Sequence, residues 1–447
     1  LKIERHKIKL TAHCPSDRLG EMFSRLIIKL HQLHYAWIIL AAVIVINTLS
    51  SGVRLSFGVF IDPLEAQFGW SRGAISFAYT ITFLAALPAT VLVGRLGDIV
   101  GVRRLVSLAA ITTAIGLILT AFISRLWHFY IFYGVIVGGL GTALYQVLMP
   151  VTITKWFDKK LGLAMGIMWT SLSIGPIVFS PLIRWLLENK GWKPTLIGLG
   201  LGLGIGLTVM SFFLRGNPKE KGLKPYGASV EEIKEKTPAS TPSQKSPSLS
   251  FSQVRRQPVF WALIFTHFLG CVSHSIPLAH VVSMATGTGI PGVTAAGLLS
   301  ALSASALGSR FFMSILSERG GSRITLGLAF LFQGTPLLIL LWFNQLWGFY
   351  LFAILFGIGF GGEMVGYPIF NRQLYGINAP LSLIYSFEMI GALLGMALGG
   401  WVGGYLYDVS GNYTWTIITA VIASYIGLAF VTLLPRHRSQ ISQSPVA

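Results

Sequence analysis

Twelve stretches of this chain are apolar over close to the ~20 residues that a helix needs to cross about 30 Å of hydrocarbon, and no other feature restricts the fold as severely. They run approximately from 35 to 62, 74 to 94, 104 to 124, 128 to 151, 161 to 185 and 194 to 214. After a polar interval they resume from 258 to 284, 293 to 316, 323 to 343, 347 to 370, 380 to 406 and 413 to 434. Lipid offers backbone groups no hydrogen-bond partner, so a spanning segment is either a helix or a strand of a closed barrel. None of the runs alternates in the barrel fashion, and all are expected to be helices. With 53% hydrophobic and 11% charged residues and a mean hydropathy of +0.68, the chain lacks the polar surface to coat a water-soluble globule of 447 residues. An all-α membrane protein of twelve transmembrane helices is the expected fold class.

The net charge of +18 raises nucleic acid as a partner. That reading needs basic residues gathered on a soluble surface, and here they punctuate apolar runs, so no nucleic-acid partner is expected. With the N-terminus inside, most of the 34 Lys and Arg residues fall in cytoplasmic tails and loops, while Arg72, Arg125, Arg184, Lys190 and Lys193 are left outside. This satisfies the positive-inside rule, and both termini are expected to be cytoplasmic. The expected organisation is a basic tail (1–34), a six-helix bundle (35–214), a linker (215–257), a second six-helix bundle (258–435) and a short tail (436–447). The linker is rich in Pro, Ser, Lys and Glu and reads as a flexible tether. The chain opens on Leu1, and Met22 offers an alternative start; no cleavable signal is evident ahead of the first span. Cys14 and Cys271 suggest neither a disulfide framework nor a metal site.

The chain is doubled. Gly94-Arg-Leu-Gly-Asp-Ile-Val-Gly-Val-Arg-Arg104, a polar break between two spans, returns as Ser314-Ile-Leu-Ser-Glu-Arg-Gly-Gly-Ser-Arg323, with Glu318 for Asp98, Gly321 for Gly101 and Arg323 for Arg103. At the same offset Leu126-Trp127 matches Leu346-Trp347, Gly139 and Gly141 match Gly359 and Gly361, Gly175 matches Gly395 and Gly191 matches Gly411. Two like-oriented, pseudo-symmetric halves point to a site between them and alternating access by rocking.

Gly94 to Arg104 resembles the signature loop between helices 2 and 3 of the major facilitator superfamily. Phe68-Gly-Trp-Ser-Arg72, Lys155-Trp-Phe157, Gly162-Leu-Ala-Met-Gly166, Gly222-Leu-Lys-Pro-Tyr-Gly227 and Pro258-Val-Phe-Trp261 resemble the bacterial monocarboxylate porter and oxalate:formate antiporter group. The resemblance implies a cytoplasmic gate built from Gly94, Gly97, Asp98, Gly101, Arg103 and Arg104, echoed by Glu318 and Arg323. It also implies a carboxylate-binding arginine in the eighth helix, where Arg310 falls. One turn earlier, where relatives often carry a polar or acidic residue, this chain has Ala306.

Ionisable residues inside hydrocarbon cost about 2.5–3.5 kcal/mol on insertion scales, so each is a functional candidate. Here they are Arg54, His267, His274, Arg310, Glu363 and Glu388, with His280 near an outer end. At 1.5 Å per residue Arg310, Glu363 and Glu388 lie about 9, 10 and 12 Å from the cytoplasmic ends of their helices, so all three could share one layer. A guanidinium suits a carboxylate bidentately, and a buried acid with no cation close by can carry a proton. Arg310 is therefore expected either to bind a substrate carboxylate or to form a static bridge with an acid, and Glu363, Glu388 or His274 to handle a proton. Arg54 and His274 are equivalent in the two halves and are candidates to face each other across the axis; for Arg54, outward snorkelling is the alternative. Tyr133, Tyr145, Asn47 and Tyr385 can supply neutral hydrogen bonds.

These residues and the resemblance lead to one expectation: a secondary transporter of the bacterial inner membrane, acting as a monomer on a small organic anion, with protons as co-substrate. Anion exchange without net proton movement is the alternative within transport, and a non-transporting sensor the alternative outside it. No nucleophile, base and orienting group occur together at a recognisable spacing, so no enzyme is expected, and no cofactor.

Overall fold

The computed structural model describes residues 34–228, 250–376 and 379–435; within its helices the surroundings of some residues, including Gly94, Gly97, Asp98 and Glu318, lie outside the described set. Among the described residues the chain makes twelve helical passes. α1 is Tyr35–Arg54, prolonged past a turn by Phe57–Phe60 and Ile61–Phe68. α2 is Arg72–Val100 and α3 Val102–Thr120. α4 joins Leu126–Phe129, a wider π-helical stretch Tyr130–Gly141, and Thr142–Trp156. α5 is Leu161–Lys190 and α6 Trp192–Phe213. In the second half α7 is Pro258–Thr286, α8 Gly292–Gly320, α9 Ser322–Leu337 continued by Ile339–Trp342, α10 Leu346–Tyr375, α11 Leu381–Ser410 and α12 Thr414–Leu433. Among the described residues, ten helices are by themselves long and apolar enough to cross a membrane.

The polar break from Gly94 to Arg104 is not a loop. α2 runs through it to Val100, and only Gly101, at φ +88°, separates it from α3. Its counterpart Gly321, at φ +91°, makes the same one-residue turn between α8 and α9. A side chain is disfavoured in this backbone region, which is why glycine stands at both places. The repeat also recurs in packing. Gly175 of α5 lets the Thr48 carbonyl of α1 come within 2.5 Å of where a Cβ would be, and Gly395 of α11 is pressed in the same way against the Phe268 carbonyl of α7.

Within the first half α1 packs on α5, α2 on α4 and α3 on α6; within the second, α7 packs on α11, and α10 on both α8 and α9. The main crossings between halves are α2 with α11 and α5 with α8, and α7 also packs on the Phe57–Phe60 turn that prolongs α1. At one end of this seam, called here the Arg72 end, the halves are clasped. Arg72 bonds the Tyr413 hydroxyl at 2.7 Å and Glu65 at 2.8 Å, and it stacks over the Tyr407 ring. Asp62, at the first-half side of the clasp, accepts from the Thr286 hydroxyl at 2.7 Å and pairs with Arg184 at 3.6 Å. Deeper along the seam Thr80 donates to the Ala397 carbonyl at 2.6 Å and Ser300 to that of Ile177 at 2.9 Å.

The interval expected to be a tether begins as docked structure. The Trp156 indole donates to the Arg215 carbonyl at 2.7 Å, and Tyr226 donates its N–H to the Trp156 carbonyl at 2.8 Å while its ring packs on Trp37 and Phe157. Aromatic burial is what Pro- and Lys-rich composition conceals. The tether reading for 229–249, like the tails at 1–33 and 436–447, lies outside the described residues.

Candidate functional site

Helical spacing aims Arg310. Ser305 and Ser309 turn to α10, where their hydroxyls donate to the Ile354 and Ile358 carbonyls at 2.6 Å. Ala306 is on the same side, fully buried against Gly361 of α10, so an acid one turn before Arg310 has no space there. Arg310 follows Ser309 by 100° of helix rotation and reaches α5, where its Nη1 donates to the Trp169 carbonyl at 2.8 Å and to the Ser173 hydroxyl at 2.9 Å. It is 6% exposed, and among the described residues no carboxylate pairs with it. The three charges expected in one layer therefore do not join. Glu363 instead meets His274 at 2.9 Å and accepts from the Gln333 amide at 2.6 Å, and Glu388 accepts from the Asn371 amide at 2.9 Å.

Two clefts lie beside Arg54, about 440 and 310 Å³ when the open space at their mouths is counted in. Arg54, Ser50 and Tyr145 belong to both. The larger adds Tyr79, Thr82, Thr113 and Tyr133; the smaller adds Asn47, Met168 and Trp169, the last being the residue whose carbonyl holds Arg310. Arg54 is the last residue of α1, and the chain turns after it, so its side chain stays among tyrosines. Asn47 is fixed by a 3.4 Å bond to the Met168 carbonyl, and Tyr133 by ring contacts with Phe57, Phe60 and Phe129.

The structure thus brings together Arg54, Asn47, Tyr133 and Tyr145; Arg310 lines neither cleft and is linked to the smaller one through the Trp169 carbonyl. It separates two other candidates from them. His274 is turned to Glu363 inside the second half and lines neither cleft, and Tyr385 packs in an aliphatic and aromatic cluster with Phe260, Leu326 and Tyr367. The reason is rotation about α7: equivalence with Arg54 in the repeat gives depth along the helix but not the partner met there. Of the gate residues, Arg103 stacks over the Phe212 ring at 4.6 Å and Arg323 bonds the Thr432 carbonyl; Asp98 and Glu318 have side chains outside the described set. Tyr79, Trp169, Ser173 and the Asp62–Arg72–Asp408 clasp were missed by sequence reasoning. The polar run Thr170-Ser-Leu-Ser173 inside an apolar span was a usable signal for the α5 members.

The comparison with protein families settles the class. The Major Facilitator Superfamily model matches residues 40–377, three quarters of the chain. The chain belongs to the major facilitator superfamily. It is an integral membrane transporter and not an enzyme. It is similar to monocarboxylate transporter 13 of Rattus norvegicus, 27% identical with 92% of this chain and 91% of that protein covered. It is also similar to the oxalate:formate antiporter of Oxalobacter formigenes, 24% identical with 90% and 92% covered. Among solved structures, a bacterial homologue of the human lysosomal transporter Spinster, inward-facing and occupied, superposes with a TM-score of 0.69 at 14% identity over 92% of this chain and 99% of that one.

Proposed function

We propose that this transporter carries a small organic carboxylate by alternating access, as a monomer in a bacterial inner membrane with both termini cytoplasmic. The observation that carries the reading is Arg310: a guanidinium at the seam between α5 and α8, almost wholly buried, held by a carbonyl and a hydroxyl through one nitrogen and by no acid among the described residues. A buried cation without a counter-ion costs several kcal/mol, a cost that an arriving anion offsets. The rest of its planar fork can take a carboxylate bidentately. Arg54 supplies a second positive charge, and Asn47, Tyr133 and Tyr145 neutral bonds around the organic part.

The bundles 35–214 and 258–435 rock about the site while the linker 215–257 keeps them together. With the Lys- and Arg-rich ends cytoplasmic, the Arg72 end is the outer one, and its clasp closes the outer side. Glu388 is the proton carrier of choice, because its carboxyl has an amide neighbour where Glu363 has an imidazole. Exchange without net proton movement is the second reading, favoured by similarity to a protein named as an oxalate:formate antiporter. The test is uptake of a panel of labelled carboxylates into proteoliposomes, with and without an inward proton gradient, by wild type and Arg310→Lys. At least one carboxylate is expected to enter, faster with the gradient, and the variant to lose at least tenfold. Failure of every carboxylate, or undiminished uptake by Arg310→Lys, overturns the reading. Uptake driven by internal anion and indifferent to the gradient selects exchange.

A further inference from the structure

One buried polar cluster is used neither by the clefts nor by the proton reading. On α7, His267 and Cys271 stand one turn apart on the face turned to α10, and Glu363 meets them from that helix. One donor atom from each, a ring nitrogen, the thiol sulfur and a carboxylate oxygen, lie within 4.8 Å of one another. The three residues are 3%, 3% and 1% exposed.

Two of these donors are conspicuous for what they do not bond. Glu363 presents one oxygen, Oε2, to both His274 and Gln333, and its other oxygen, Oε1, is buried with no partner; so is Nδ1 of His267. Buried polar atoms are almost always satisfied, and an orphan calls for a ligand. Both are also held in place. The His267 ring stacks on Tyr367 at 3.9 Å, and His274 with Gln333 fixes the carboxylate plane, as outer-shell partners do for metal-bound carboxylates.

We propose that His267, Cys271 and Glu363 bind a divalent transition-metal ion of borderline softness, with Zn²⁺ the best match. Thiolate, imidazole and carboxylate together suit zinc, whereas a hard ion such as Mg²⁺ takes oxygen alone. Bond lengths of about 2.0–2.3 Å put tetrahedral donors about 3.3–3.8 Å apart, so the cluster has to close by about 1 Å, within reach of side-chain rotation. One thiolate and one carboxylate neutralise a 2+ ion, so the loaded site is uncharged, as hydrocarbon surroundings favour. Binding releases the thiol proton to solvent. The ion ties α7 to α10 inside the second half, and the fourth position of the tetrahedron remains for water or an anion.

The test uses the full-length protein purified after growth in Co²⁺-supplemented medium, with metal content and electronic absorption as readouts. The chain has two cysteines, so a thiolate-to-cobalt charge-transfer band is assigned by substitution. One Co²⁺ per chain is expected, with the band present in wild type and Cys14→Ser and lost in Cys271→Ser. His267→Asn, which leaves both cysteines intact, is expected to lower occupancy at least tenfold while eluting like wild type. Removing the ion by chelation should lower the melting temperature of wild type but not of Cys271→Ala. A wild type with no band, a band that survives Cys271→Ser, or full occupancy in His267→Asn overturns the proposal. Metal content is read without transport, so failure of the carboxylate reading leaves this result unaffected.

Discussion

Asp408, at the end of α11, caps the first turn of α2 in the other half of the molecule: its Oδ1 accepts from the Arg72 N–H at 3.1 Å and its Oδ2 from the Gly73 N–H at 2.8 Å. Helix N-termini carry unsatisfied N–H groups and a partial positive charge, so a carboxylate is well placed there. Gly73 is required for the approach, since an added Cβ would lie 2.5 Å from Asp408 Oδ2. One aspartate thus latches the two halves at the end where they are closed.

Asp408→Ala should loosen that latch. Hydrogen bonds to a charged group contribute about 1.5–3 kcal/mol, enough to shift an open-to-closed ratio by tenfold or more. Spin labels at the exposed positions Ser71 and Asn412 are expected to report longer distances in the variant. An unchanged distance distribution would mean that the Arg72 contacts to Glu65 and Tyr413 suffice.

Gly101→Ala and Gly321→Ala should each cost about 1–2 kcal/mol, because both glycines hold positive φ. Gly198→Ala, in the middle of α6 with nothing within 4 Å of the added methyl, should be neutral or stabilising by about 0.5–1 kcal/mol. Thermal unfolding in detergent measures all three, and the two turn variants are expected to melt lowest.

Ser173→Ala removes one of the two α5 bonds to Arg310 and leaves the Trp169 carbonyl. The guanidinium keeps its charge but loses orientation, so the concentration of carboxylate for half-maximal uptake should rise about tenfold, with the maximal rate less affected. A change confined to the maximal rate would place Ser173 in the rocking motion instead.

The helices, the duplication and the glycine turns were legible because each follows from local chemistry: hydropathy sets the spans, and Gly101, Gly321, Gly191 and Gly411 sit at positive φ where one helix hands over to the next. That Arg310 is buried within α8 was legible too. What it touches was not, since the side chain's direction depends on Ser305, Ala306 and Ser309 facing α10. The pairing of His274 with Glu363 joins residues far apart in the chain, and linear spacing does not reveal which of two buried acids a histidine meets. The polar stretch after Gly94 read as a loop because charge and glycine usually break helices; here α2 continues to Val100, and the break is confined to Gly101 at positive φ.

Glu388 provides the sharpest separation of symport from exchange. Its carboxyl is fully buried on α11, and Asn371 of α10 donates to its Oε2. In hydrocarbon surroundings a lone carboxylate is costly, and taking up a proton removes the charge before the site turns over. Glu388→Gln copies the protonated form: the amide keeps the shape and accepts the same bond from Asn371, but releases no proton. Uptake driven by an inward proton gradient should therefore fall at least tenfold, whereas exchange of internal for external carboxylate, which needs no net proton movement, should persist within about twofold of wild type. Counterflow and gradient-driven uptake measured on the same proteoliposomes separate the two, and equal loss of both would make Glu388 a structural acid of α11 rather than the group that carries the proton.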